Sequence, residues 1–312
     1  MEKNMEKNME KNMEITQFCE HVADGVRKEL GNEFDVEYRG IIKNNGTIYH
    51  GLTIKKNIAN IAPTVYLEGF FEQYRKGEDI EKIVSRVIGV YRAADPGDSF
   101  DMSFFKDFSN VCDNLTFKVV SEKRNREILS NIPYRTFEDL AFIPICVVNG
   151  NGIGTGTITI TKVHLGEWEI SEEELWENVF ENAEKIAPPK VRTMVETLMG
   201  TCAGKELENL VDPVFQDMYV VTNRNDVYGA SVVFYPGFIE KMSEKMGGDV
   251  IVIPSSVHEQ IIIPVIGDMI DTQHLVSIVR EVNTTTLSEE EILGDNIYYY
   301  DSTKKELTML AG

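Results

Sequence analysis

Between Gly247-Gly248 and Pro254 the chain carries Val250-Ile251-Val252-Ile253, four branched aliphatic residues with no polar residue among them. Such a run cannot alternate between core and solvent, so a strand built from it is covered on both faces. It therefore belongs in the middle of a layered body, with other elements on each side. Directly after it comes the one dense cluster of potentially reactive side chains, Ser255-Ser256-Val257-His258-Glu259.

The surrounding pattern supplies the other layers. Before the run, residues 218–222 and 228–235 read as strands around Asn223-Arg224-Asn225-Asp226, and 238–246 reads as a helix stopped by Gly247-Gly248. After it, 261–263 reads as a strand and 269–282 as a helix, and 297–301 with 306–310 as a terminal hairpin. Near the N-terminus Ile15, Phe18, Cys19, Val22, Val26 and Leu30 recur at helical spacing and Gly31 stops them. Asn45-Gly46 then joins two strand-like runs, and it is a strong hairpin signal because both turn residues take positive φ. Helices are predicted over 64–75 and 80–91, and the break at Ala94-Asp95-Pro96-Gly97-Asp98 is a segment boundary.

In the middle, 115–121 reads as a strand, 122–129 as a short charged helix, and 140–149 with 155–165 as paired strands. Pro144 makes the first of that pair an edge strand or a bulged one. Ser171-Glu172-Glu173-Glu174 and Ser288-Glu289-Glu290-Glu291 are capping boxes that start helices, and their carboxylates suit the first helical turn rather than a metal. Pro188-Pro189 ends the first of these helices, and a further helix carrying Val191, Met194, Val195, Leu198 and Met199 bridges to the last segment.

Composition narrows the function. The formal net charge of −20 argues against general nucleic-acid binding and against docking on an anionic membrane. Cys19, Cys112, Cys146 and Cys202 form no paired motif, so neither a disulfide framework nor a zinc site is expected. His21, His50, His164 and His274 are dispersed and give no metal-ligand spacing. No cofactor is expected. The N-terminal MEKN repeat has no apolar core of a signal peptide, and the expected setting is the cytoplasm of a bacterium.

Two glycine-rich stretches invite a phosphate-binding reading and fail it. After Gly150-Asn151-Gly152-Ile153-Gly154 a Thr/Ile strand follows, where a helix N-terminus is needed. Gly200-Thr201-Cys202-Ala203-Gly204-Lys205-Glu206 is one residue short between its glycines and has Glu where the metal-binding hydroxyl belongs. Tyr298-Tyr299-Tyr300 is read as packing rather than a base-stacking platform.

Ser255, Ser256, His258 and Glu259 are the catalytic candidates, having the residue types of nucleophile, base and orienter. If the segment is extended, Ser256 and His258 share a face about 6–7 Å apart, beyond hydrogen-bond reach. If it is a helical turn, Ser255 caps it. Either way a complete triad needs a further residue that the sequence does not identify. Asn223, Arg224 and Tyr228 are the binding candidates.

Four stretches, Met218 to Asn223, Tyr228-Gly229-Ala230-Ser231, Tyr235-Pro236-Gly237 and Ile253 to Glu259, resemble the domain-of-unknown-function family numbered 5688. The resemblance covers residues 15–310. It implies an intracellular protein of Firmicutes from gut communities, often encoded near mobile elements, and brings no catalytic residues with it.

The expected fold is α+β, with antiparallel-rich mixed sheets flanked by helices. After the 1–13 leader come segments 14–95, 96–200 and 201–312, and the last two share a logic that lets them pack as one body. The expected function is a non-enzymatic binding or regulatory protein with a protein or small-molecule partner. The alternative is a hydrolase-like enzyme using Ser255 or Ser256 with His258.

Overall fold

The computed structural model describes residues 13–59, 62–94, 103–150, 154–201, 217–267 and 271–310. The first twelve residues of the leader, the break at 95–98, residues 151–153, the stretch from Cys202 to Glu206 and Met269 lie outside them. The fold is α+β, with three sheets of antiparallel strands. Among the described residues no helix is long and apolar enough to cross a membrane. The chain divides into two compact units.

The first unit comprises Met1–Lys43, Thr47–Ser103 and Asn149–Gly154. Helix α1 (Ile15–Leu30) leads into strands β1 (Phe34–Ile42), β2 (Ile48–Lys56) and β3 (Thr64–Tyr66), then helices α2 (Glu68–Arg75) and α3 (Ile80–Ala94). The β1–β2 ladder runs from Phe34↔Lys56 to Ile42↔Ile48, closed by a turn in which Asn45 and Gly46 have φ of 59° and 74°. One core joins Phe18, Val22 and Val26 of α1 to Leu52 and Ile54 of β2 and to Ile83, Val87 and Tyr91 of α3. The helical spacing of α1 and α3 places these side chains on one face each, as the sequence pattern requires.

The second unit comprises Asn44–Gly46, Phe104–Val148 and Thr155–Gly312. Strands β4 (Leu115–Ser121), β5 (Arg135–Phe137), β6 (Leu140–Gly150) and β7 (Gly154–Thr159) make one sheet, with β6 in its interior. Helices α4 (Lys162–Trp168) and α5 (Glu172–Ile186) follow, then β8 (Pro189–Thr193), α6 (Met194–Thr201) and β9 (Tyr219–Asn223). A 3-10 helix at Gly229–Phe234 precedes α7 (Phe238–Met246), β10 (Val250–Ser256), β11 (Glu259–Pro264), α8 (Thr272–Thr285), β12 (Ile297–Asp301) and β13 (Glu306–Leu310).

The second sheet of this unit has the order β13-β12-β10-β11-β9-β8, so the apolar run is a central strand. Ile251 packs with Val276 and Val279 of α8. On the opposite face Val252 is buried beside its cross-strand partner Tyr298, whose ring lies 5.8 Å from Phe137 of β5. Phe234, at the end of the 3-10 helix, meets Phe137 and Phe142 at 5.3 and 4.9 Å, so the helix is wedged between the two sheets.

Several elements differ from their sequence patterns. Within 228–235, Gly229–Phe234 is a 3-10 helix rather than a strand. Gly229, Ala230, Ser231, Val232 and Val233 are all buried, so the run shows no alternation of core and solvent to distinguish the two. Within 155–165 the strand stops at Thr159 and α4 begins, because the Thr161 side chain and His164 form a reciprocal cap. Residues 64–75 divide into β3 and α2, and 189–201 into β8 and α6. The start of α6 is a cap at Thr193, which exchanges hydrogen bonds with Glu196.

The Ser288 box forms but opens a single turn, Glu289–Glu291. The Glu291 carbonyl accepts from Val257 N instead of continuing a helix, and Ile292 and Leu293 are buried in extended chain. Pro144 lies inside a sheet with an unbroken β4–β6 register, so neither edge nor bulge describes it. Its carbonyl accepts from Ile160 N on the side away from β4. Amide and carbonyl of one residue face the same side of an antiparallel strand, so its missing N–H takes nothing from the β4–β6 ladder.

Candidate functional site

Strand β9 ends at Asn223, whose side chain organises the loop after it. Asn223 Oδ1 accepts from Asn225 N (3.0 Å) and Val227 N (3.4 Å), while Nδ2 donates to the Val227 carbonyl (2.7 Å). An Asn side chain bonding to backbone two residues on is a turn device. Asp226 and Tyr228 both have φ of 54°. For a residue as bulky as Tyr this left-handed conformation is strained, and it persists only where surrounding contacts over-determine it.

Those contacts are present. Tyr228 N donates to His258 Nδ1 (3.1 Å), and Ser231 Oγ donates to the Tyr228 carbonyl (3.0 Å). The Tyr228 ring stacks on the imidazole at 5.7 Å with 18° between planes, and the Lys118 ammonium lies 5.0 Å from the ring centroid. Gly229 follows because nothing larger fits. A Cβ there would stand 2.2 Å from Thr222 Oγ1, 2.5 Å from Asn223 N and 2.6 Å from the His258 carbonyl.

The serine–histidine segment is the β10–β11 hairpin turn. The ladder gains one residue between Pro254↔Gln260 and Ser256↔Glu259, making Ser255 the extra residue of a bulge. Ser256 Oγ accepts from His258 N (3.0 Å), and Thr222 Oγ1 donates to the His258 carbonyl (2.8 Å). Ser255 Oγ donates to Glu259 Oε1 (3.2 Å).

The four candidates thus split into two pairs. The carboxylate bonds to a serine, and the imidazole nitrogen Nδ1, accepting from a backbone amide, carries no proton. Among the hydrogen bonds of the described residues, the His258 ring meets neither a serine hydroxyl nor a carboxylate. Gln260, fully buried, donates from Nε2 to the Ala230 carbonyl (2.6 Å) and ties this hairpin to the 3-10 helix.

Beside this assembly lies a cavity of about 330 Å³. That is the small end of the range for ligand pockets. Thr116 and Phe117 of β4 with Ile145 and Val147 of β6 form one wall. Ile186 and Ala187, at the end of α5, form another, and Asn223, Asn225, Val227, Tyr228 and Ser231 close it. Two of the three binding candidates, Asn223 and Tyr228, therefore line the cavity. Arg224 is exposed and outside its wall, with its backbone N–H on the Pro188 carbonyl. None of Ser255, Ser256, His258 or Glu259 lines it, although His258 holds Tyr228 in place.

Thr116, Phe117 and Ser231 carry no sequence signal for a site. They become neighbours only when β4 and the 3-10 helix, over a hundred residues apart, are packed together. Thr116 Oγ1 is buried and makes no hydrogen bond of normal geometry. It does approach Tyr235, whose phenol is pushed up by burial, an effect the Ser231 and Thr116 hydroxyls partly oppose. No group of His, Cys, Asp and Glu among the described residues is placed to hold a metal ion.

No curated protein and no solved structure was found to match the chain. A family model described as a family of unknown function (DUF5688) matches residues 15–302, and the chain belongs to that family.

Proposed function

We propose that this is a non-enzymatic, ligand-binding regulatory protein whose site is the cavity walled by Tyr228 and β4. The observation that carries this reading is the holding of Tyr228. A strained aromatic residue is pinned through its amide, its carbonyl and its ring at the edge of a preformed cavity. Strain maintained by its surroundings is typical of functional sites, and a preformed pocket with a few polar groups is a binding site by default. The lining contains no Asp, Glu, His, Cys, Lys or Arg, so its Thr116, Thr157 and Ser231 hydroxyls and Tyr228 phenol have no general base beside them in the wall. A small-molecule partner, rather than nucleic acid or membrane, also suits the charge of −20. Free Cys19, Cys112 and Cys146 accord with a reducing cytoplasm. A setting near mobile elements belongs to the same proposal and rests on the family resemblance alone.

The test is native mass spectrometry of the protein mixed with a metabolite extract, beside a Val147→Trp variant that fills the cavity. The expected result is an adduct of small mass on the parent protein that the variant lacks. An adduct retained by the variant would overturn the choice of site. Covalent labelling by a fluorophosphonate probe, lost in Ser255→Ala or Ser256→Ala, would overturn the non-enzymatic reading in favour of hydrolysis.

A further inference from the structure

We propose that His258 is a positioning residue sensitive to protonation: neutral, it holds Tyr228 in the cavity wall, and charged, it releases it. The device stands on the geometry of these two residues. Only its consequence for binding rests on the reading of the cavity as the ligand site.

Three observations carry it. First, the hydrogen bond from Tyr228 N to His258 Nδ1 (3.1 Å) uses the lone pair of an unprotonated ring nitrogen. In an imidazolium both nitrogens are donors, so a proton on Nδ1 would set two N–H groups against each other. Imidazole is the side chain that ordinarily changes charge between pH 5 and 8, and His258 is half-buried, within reach of solvent protons.

Second, the bond restrains a residue under strain. Tyr228 has φ of 54°, a left-handed conformation that is costly for a bulky side chain. It is also held by the Ser231 hydroxyl on its carbonyl and by its ring stack on the imidazole itself. The Lys118 ammonium already lies 5.0 Å from the Tyr228 ring centroid, so a charged imidazole stacked on that ring would bring two cations together. The carboxylates around the turn are engaged elsewhere. Glu259 accepts from Ser255 Oγ, Glu291 from Ser288 Oγ, Glu289 pairs with Arg124 and Asp226 with Lys190. Glu290 belongs to the same turn as Glu289 and Glu291, and Arg224 is exposed on the Tyr228 loop. Strand β9 and the 3-10 helix, which also pack here, contain no charged residue. Among the hydrogen bonds of the described residues no carboxylate meets the imidazole, so none is in place to hold an imidazolium where it stands.

Third, Tyr228 and the loop it closes make up one side of the cavity, where Asn223, Asn225 and Val227 line it beside the tyrosine. Release of Tyr228 therefore moves that wall, and a pocket formed at neutral pH loses its shape in mild acid.

NMR of the ligand-free protein tests the device, with the His258 imidazole and the Tyr228 amide followed in one sample from pH 8 to pH 5. The expected result is that Tyr228 hydrogen exchange, corrected for its intrinsic pH dependence, speeds up roughly tenfold as His258 titrates, the equivalent of one net hydrogen bond, while the Val252 amide stays protected. In His258→Asn the side-chain carbonyl can accept from the same amide without titrating, so Tyr228 exchange is expected to stay flat over the range. A flat Tyr228 in the parent while His258 titrates would overturn the proposal, as would a His258 that stays neutral down to pH 5. Loss of Val252 protection at the same pH would mean general unfolding and overturn it as a local device. Tyr228 exchange that still follows pH in His258→Asn would assign the effect to another group and overturn it too. The parent series decides even where the variant folds poorly, because coincidence of the two midpoints is read within it. No ligand takes part, so failure of the cavity as a binding site shows in the Val147→Trp adduct test and failure of the pin shows here.

Discussion

The first unit closes its core with elements that are neighbours in sequence, while the second assembles its centre from strands far apart. In the first, α1, the β1–β2 hairpin and α3 bury Phe18, Leu52, Ile83 and their neighbours in one cluster. In the second, the cavity borders β4, β6, the end of α5 and the loop after β9. Locally built cores fill because each amphipathic face meets the next element along the chain. Where distant sheets meet across a wedge, shapes need not match, and the cavity here coincides with strained backbone.

Core truncations give the largest effects. Trp176→Ala is expected to lower stability by about 3–5 kcal/mol, since the residue is fully buried and its loss strands the Pro133 carbonyl that its indole N–H now meets. Phe18→Ala in the first unit, equally buried but without such a bond, is expected at the lower end of that range. Denaturant titration with matched slopes measures both. A cost near zero for Trp176→Ala would break the idea that the second unit is tightly packed around Trp176.

A pair of glycine substitutions sharpens the contrast. Gly229→Ala is expected to cost about 1–3 kcal/mol, because two of the atoms its methyl meets, Asn223 N and the His258 carbonyl, are backbone. Gly51→Ala in the first unit meets the Ile41 and Thr64 side-chain ends at 2.5 and 2.8 Å, and these can turn aside. The same denaturant measurement should rank Gly229→Ala above Gly51→Ala, and the reverse order would refute the close-approach account of the loop.

Acid sensitivity is a smaller effect, and one histidine of the second unit contributes to it. Burial holds the His164 imidazole below its usual range, opposed by the Glu167 carboxylate, and its Nδ1 accepts from Thr161 N (3.1 Å). The folded state therefore binds fewer protons at this site than the unfolded chain. Its contribution is complete above the unfolded value of 6.5 and declines as pH falls below it. His164→Gln keeps a side-chain acceptor for the cap but does not titrate. Melting temperatures between pH 7 and 5 should fall more steeply for the parent than for the variant; parallel curves would dismiss the histidine as the cause.

Thiol reactivity is the mildest probe and spans both units. Burial is the chief cause that pushes the Cys19 and Cys146 thiols up to about 12. Both should resist iodoacetamide in the native protein at pH 8, and half-buried Cys112 should alkylate before them, as peptide mass spectrometry would reveal. Early modification of Cys19 would mean that the first core opens more readily than its packing implies.

The elements with a clear period were legible from the chain: α1, the Asn45-Gly46 hairpin, β4, α7 and the terminal hairpin. Two causes account for several of those misread. Residues 229–233 are all buried and so have no period. In α4 and α6, side-chain caps at Thr161 and Thr193 override an apparent continuation. Of the site, Asn223 was visible in the polar break between apolar runs, and Tyr228 at the start of the run after it. Thr116 was not, because nothing local distinguishes a strand threonine facing a cavity from one facing a neighbour.

The sequence by itself determined that Val250 to Ile253 runs through the middle of a layered α+β body, since unbroken apolar character leaves a strand no wet face. Only the tertiary structure decided that Ser255 pairs with Glu259 while His258 supports Tyr228, and that a cavity lies beside them. Periodicity records how each element divides between core and water. Which side chains meet across elements, and where they leave a gap, depends on shapes brought together from distant parts of the chain.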